Sequence, residues 1–194
     1  HGVAGEKAEI TICGLGFFHL FINGKKVSDD LLTPNATNYS YRDLYKFQFP
    51  LDDEFSFRIY CMKYDITDYL LDGENTLAVM LGNGYYHQIK RLAEGVVDFG
   101  TPKLCYVIEK ESGNVLCDET TLCHKGFVLE NNLYYGEEAD YTLYPAGFEL
   151  NGYSGEGFTK STAIPAPESE FCIQFSPSDK VIRSLNPVLL KDEG

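Results

Sequence analysis

The residues best equipped for chemistry stand together in Gly82-Asn83-Gly84-Tyr85-Tyr86-His87. Asn83 carries a donor and an acceptor on one amide, Tyr85 and Tyr86 add flat apolar faces and hydroxyls, and His87 can donate to a sugar hydroxyl. Two glycines would let the backbone approach a ligand closely. Directional hydrogen bonds beside an aromatic face are what a pyranose requires. Asn38 and Tyr39 offer a second amide–aromatic pair of the same kind. The glycines are not a phosphate loop, because neither Lys-Ser/Thr nor a helix follows them. The competing reading is that both tyrosines plug the end of a core or an interdomain contact.

Other chemistries find less support. Hydrolysis of a glycosidic bond needs two carboxylates facing a sugar about 5 to 10 Å apart. With 29 Asp and Glu, a pair of suitable spacing carries no information. Asp29-Asp30, Asp52-Asp53-Glu54 and Glu137-Glu138 could offer oxygen ligands to Ca²⁺, yet none has the spacing of a calcium loop, so a solvated acidic surface and no cofactor are expected. His1, His19, His87 and His124 lack the i, i+4 spacing of a zinc site. Cys13, Cys61, Cys105, Cys117, Cys123 and Cys172 form no Cys-x-x-Cys pair, and several lie in apolar runs; free thiols are expected. That favours a cytoplasmic setting, as does the lack of a basic-then-apolar leader pattern, although His1 to Gly5 could be a cut point and the compartment stays open. A net charge of −13 without a Lys/Arg cluster argues against nucleic acid. No apolar run approaches the roughly 18 residues that would span a bilayer.

The elements that must position these residues read as strands. Ala8 to Cys13, Phe17 to Ile22, Phe55 to Met62, Thr76 to Leu81, Lys103 to Glu109 and Cys172 to Phe175 are short, rich in β-branched and aromatic residues, and bounded by turn formers. Asn23-Gly24 predicts a type I′ hairpin, and Ser112-Gly113-Asn114 a second hairpin tip. Tyr64 to Leu71, with a cap at Asp65 and a stop at Gly73, predicts a helix of about two turns. Gly, Ser, Thr and Pro thicken from Leu150 onward, as in a linker. No strand is followed by the long amphipathic helix of a parallel crossover, so the expected fold is all-β: a jelly-roll-like, galactose-binding-like β-sandwich with short helical connectors.

Several motifs, in order, resemble the accessory N-terminal domain of bacterial α-L-rhamnosidases. They are Phe18-His19-Leu20-Phe21-Ile22-Asn23-Gly24-Lys25-Lys26-Val27; Leu32-Thr33-Pro34 with Thr37-Asn38-Tyr39; Tyr64-Asp65-Ile66-Thr67-Asp68-Tyr69-Leu70; Gly73-Glu74-Asn75-Thr76-Leu77; Leu81-Gly82-Asn83-Gly84-Tyr85-Tyr86; and Tyr135-Gly136-Glu137 with Asp140. The resemblance covers residues 8–150, and 151–194 is similar to the linker and strands that lead toward the next domain. It departs in having no Trp, with Ala36 and Tyr85 at two positions where the family commonly has one, and in extra sequence at Phe47 to Lys63, read as an added hairpin. The resemblance implies a non-catalytic accessory domain that packs against the catalytic and β domains of a longer parent, whose catalytic acids sit on a separate helical barrel. The alternative it leaves open is a carbohydrate-binding module for rhamnose-containing glycans, using Asn83, Tyr85, Tyr86, His87, Asn38 and Tyr39.

Overall fold

A computed structural model describes residues 1–37, 39, 58–89 and 97–185. Fourteen strands are assigned among them. β1 (Ala8–Leu15) lies at the centre of a five-stranded sheet, between β4 (Arg58–Asp65) and β8 (Lys103–Lys110), with β14 (Glu170–Ile173) outside β4 and β9 (Val115–Leu116) outside β8. The β14–β4 pairing is parallel and the other three are antiparallel. A second sheet has β2 (Phe17–Ile22) between β3 (Lys25–Lys26) and β5 (Leu77–Gly82).

Alternation along β1 and β2 builds the interior. Ala8, Ile10 and Ile12 from one sheet meet Phe18, Leu20 and Ile22 from the other, and Ile66 closes the same cluster. Fully burying one of these Ile side chains contributes about 1.5 to 3 kcal/mol. Only Gly16 separates β1 from β2, so the chain passes from sheet to sheet within one residue. Gly16 has φ +112°, and a Cβ there would collide with the carbonyl oxygen of Gly82. The glycine is required by the corner itself.

At this end the five-stranded sheet is covered on its other face as well. Cys13 and Leu15 of β1 and Ile59 and Cys61 of β4 form a second buried cluster with Tyr86, against which Tyr39 and Phe99 pack. Three two-stranded ribbons complete the architecture: β6 (His87–Gln88) with β7 (Val97–Asp98), β10 (Leu122–Cys123) with β13 (Thr159–Lys160), and β11 (Val128–Asn132) with β12 (Gly136–Ala139).

Both expected turns form. Asn23 (φ 51°) and Gly24 (φ 80°) connect β2 to β3, and Gly113 (φ 121°) sits in the β8–β9 connection. The expected helix does not. β4 runs on to Asp65, and only Thr67–Tyr69 form a 3₁₀ turn. The cause lies in β1: Ala8 O accepts from the Ile66 N–H, and Thr67 Oγ1 accepts from the Ala8 N–H, so this stretch bonds across to its neighbour. The strand expected from Phe55 begins within the described residues at Arg58, and 47–57 of the expected extra hairpin lie outside them. Pairing does not stop at residue 150, since β13 and β14 bond to β10 and β4.

Candidate binding loop at the sandwich corner

β5 delivers the chain to the corner at Gly82, and the next six residues fold over it. Gly84 (φ +50°) lies so close to β2 that a Cβ would stand 2.9 Å from the Phe17 nitrogen. Gly84 therefore admits protein backbone, whereas the nearest neighbour of a Cβ on Gly82 would be the Asn131 side chain, at 3.4 Å. Asn83 is bound on both sides. Its N–H donates to Asn131 Oδ1 (3.0 Å) and its Nδ2 donates to Asn131 O (2.8 Å), while its own carbonyl accepts from the Tyr86 and His87 N–H groups (3.2 and 3.1 Å). Asn131 is held in turn, donating from Nδ2 to Glu137 Oε2 (3.0 Å).

Tyr85 and Tyr86 take opposite roles. Tyr86 is 5% exposed. Its ring meets Tyr39 edge-on at 5.1 Å and Phe99 at 5.6 Å, and its hydroxyl accepts from Lys103 Nζ (2.9 Å). Burial pushes the neighbouring Tyr39 hydroxyl up to about 12. Tyr85 is 40% exposed and rests one edge against Phe17, centroids 6.0 Å apart. His87 donates from Nδ1 to Asp98 Oδ1 (2.7 Å), joining β6 to β7. That bond, and the Gly100 N–H donating to the same oxygen (2.8 Å), hold the Asp98 carboxyl below its usual range. Of the residues singled out in the sequence, the fold thus gathers Asn83, Tyr85, Tyr86, His87 and Tyr39 at one corner, and Asn38 lies outside the described residues.

Four residues of this corner escaped notice in the sequence: Gln88, Asp98, Lys103 and Asn131. Gln88 is fully buried, donates to Gly84 O and accepts from the Leu133 N–H (3.2 Å). It pins the loop to the β11–β12 connection. Its only sequence signal is a polar residue beside an apolar one at the end of an aromatic run. Lys103 was legible only as a strand start.

The acidic pairs are likewise engaged with protein groups. Lys180 bridges Asp29 and Asp30, and its hydrogen bond lowers the Asp29 carboxyl's pKa; Tyr64 Oη donates to Asp30 Oδ2 (3.3 Å). Asp52, Asp53 and Glu54 lie outside the described residues. Among the described residues no group of three or more His, Cys, Asp or Glu is placed to hold a metal, and no helix is long and apolar enough to cross a membrane.

The alpha-L-rhamnosidase N-terminal domain family matches residues 4–48 and 49–183. The chain belongs to that family. Two alpha-L-rhamnosidases of Formosa agariphila are related to this rhamnosidase N-terminal domain, one 33% identical over 94% of the chain and the other 23% over 96%. The chain covers 18% and 20% of their lengths, about a fifth of each. Its fold matches alpha-L-rhamnosidase structures from Dictyoglumus thermophilum (TM-score 0.76, 24% identity, 97% of this chain and 19% of that one) and Aspergillus terreus (0.70, 22%, 89% and 19%).

Within the rhamnosidase N-terminal domain, the motifs behind the resemblance prove to be hydrogen-bond knots. Asn23 Nδ2 donates to Asn75 Oδ1 (2.7 Å) and to Tyr69 O (3.0 Å), and Asn23 Oδ1 accepts from the Thr76 N–H (2.9 Å). Asn75 also bonds Leu71 through both amide atoms (2.8 Å each). Asp65 and Asp140 each accept from the backbone N–H two residues on (2.9 Å each), beside the 3₁₀ turns Thr67–Tyr69 and Tyr141–Leu143. Asx side chains compete with regular structure for backbone donors in this way, and they set the loop geometry here.

Proposed function

We propose that the chain is a non-catalytic accessory domain of an α-L-rhamnosidase-type glycoside hydrolase, one that packs against the parent's catalytic and β domains and supports or shapes the substrate entrance. The observation that carries this reading is how the corner loop spends its polar groups. Asn83 is tied to Asn131, Gly84 to β2 and Gln88, Tyr86 to Lys103, and His87 to Asp98. A loop bonded this thoroughly to its own fold is a brace.

Exposed apolar side chains on and after β14 support the domain contact. Phe171, Ile173 and Phe175 are followed by Val181, Ile182 and Leu185, with Ile182 98% exposed. Apolar side chains left this exposed along one stretch of chain suit a protein neighbour better than water. The role needs no cofactor, and the partners are domains of the same parent chain. The isolated chain should leave aryl α-L-rhamnosides intact. Turnover that persists through repurification and disappears on a single Asp or Glu substitution within the chain would overturn the reading.

A second reading, a carbohydrate-binding module for rhamnose-containing glycans, draws on Tyr85, whose exposed ring could stack on a sugar beside His87. Under that reading Tyr85→Ala weakens glycan binding by about 1 to 3 kcal/mol, the loss of one stacked aromatic and its hydrogen bond.

A further inference from the structure

Four of the six thiols form a row across one face of the five-stranded sheet. Cys13 pairs directly with Cys105 of β8, and the β1–β4 register that sets Ile12 opposite Met62 carries on to place Cys13 opposite Cys61. Cys117 extends the row past the end of β9, its Sγ 3.8 Å from Cys105 Sγ. Two bonds to Tyr106 fix it there: the Cys117 N–H donates to Tyr106 O (3.1 Å), and the Tyr106 N–H donates to Cys117 Sγ (3.4 Å). The ends of the row differ in access. Cys13 and Cys61 are buried, Cys105 is exposed and Cys117 partly so, and all six cysteines are free.

We propose that Cys105 and Cys117 form a reversible oxidation site, at which a low-molecular-weight disulfide converts the two thiols into a clamp across the β8–β9 hairpin. The Cys117 thiolate attacks one sulfur of the small disulfide, and one small thiol leaves with its electron pair and takes up a proton. Cys105 then gives its proton to solvent, its sulfur attacks Cys117 Sγ, and the second small thiol leaves. The protein gives up two electrons and two protons, and the oxidant is reduced to two thiols. The sulfurs must close from 3.8 Å to about 2.05 Å, which side-chain rotation beyond the last pair of β9 can provide. Partial desolvation, with the adjacent Cys117, pushes the Cys105 thiol up to about 11, which keeps it protonated and suits it to the resolving role. Cys13 is shut off from solvent, and its bond to Cys61 together with burial drives its thiol higher still. The clamp would tether the β9 edge, where Val115 and Leu116 are exposed.

The test is to incubate the 194-residue chain with oxidised glutathione, block remaining thiols by alkylation, and map the digest by mass. The expected product is one linked peptide joining Cys105 to Cys117, leaving four of the six thiols alkylatable, and reductant restores all six. Cys105→Ser should leave a lasting glutathione adduct on Cys117, because the resolving thiol is gone. Lasting glutathione adducts on both residues of the unaltered chain, or a linked peptide joining any other pair, would overturn the proposal. The mapping needs no variant, so a misfolded substitution does not weaken it.

Discussion

The two halves of the molecule are held together differently. Among the described residues, every buried residue lies between Glu6 and Gln88, and none lies between residues 98 and 185. The first half packs two sheets face to face around Ile10, Ile12, Leu20, Ile22 and Ile66. The second half contributes β8 to the larger sheet, then lays short ribbons and aromatic contacts such as Phe127 with Tyr144 (5.0 Å) over the outside, joined by polar knots like Asn83–Asn131. The first half thus supplies the buried side chains of the interior, against which Leu104, Tyr106 and Ile108 of β8 also pack, and the rest of the second half supplies surface.

If that division is right, the largest effect should come from the interior. Ile66→Ala leaves a cavity where the side chain is 0% exposed and should cost about 2 to 5 kcal/mol, read as a lower denaturant midpoint. An equal loss from Leu116→Ala, on the exposed β9, would erase the contrast. Asn83→Ala should be intermediate, at about 1 to 3 kcal/mol, because it strands the Asn131 carbonyl and frees the knot between the halves. Amide exchange should speed up in β11 while β1 keeps its protection.

A smaller effect should follow pH. Asp98 has its carboxyl lowered in the fold by the His87 bond, so its contribution is present above the unfolded carboxylate pKa and is lost as pH falls through the lower folded value. Asp98→Asn should flatten stability across that acidic window, and an unchanged acid limb would show that the β6–β7 tie is idle. The smallest effect expected is that of Tyr85→Ala on melting temperature, since the residue is 40% exposed and meets Phe17 by one edge. A drop as large as that of Ile66→Ala would make Tyr85 part of the core.

β1, β2, β5 and β8 were legible as apolar or alternating runs, and Asn23-Gly24 marked its hairpin through the positive φ that both residues adopt. The parallel pairing of β14 with β4 was not, because its partners are separated by over half the chain and nothing local encodes the register. Tyr64 to Leu71 looked helical because capping signals are local, whereas the bonds that win there come from Ala8. The break in the apolar run at Gly82 marks where the chain leaves β5 for the corner. Its chemistry was harder to read: Asn83 offers the same amide to a sugar as to Asn131, 48 residues away, and residue type does not say which takes it. Gln88, Asp98 and Lys103 acquire meaning only once the ribbons are assembled.

If this corner braces the fold, it holds no strong site for a free sugar. Calorimetric titration of the 194-residue chain with L-rhamnose and with rhamnosylated glycans tests it most directly. A bracing corner gives no saturable heat at millimolar sugar; saturable binding that Tyr85→Ala abolishes while the melting temperature holds would make the corner a carbohydrate-binding site instead.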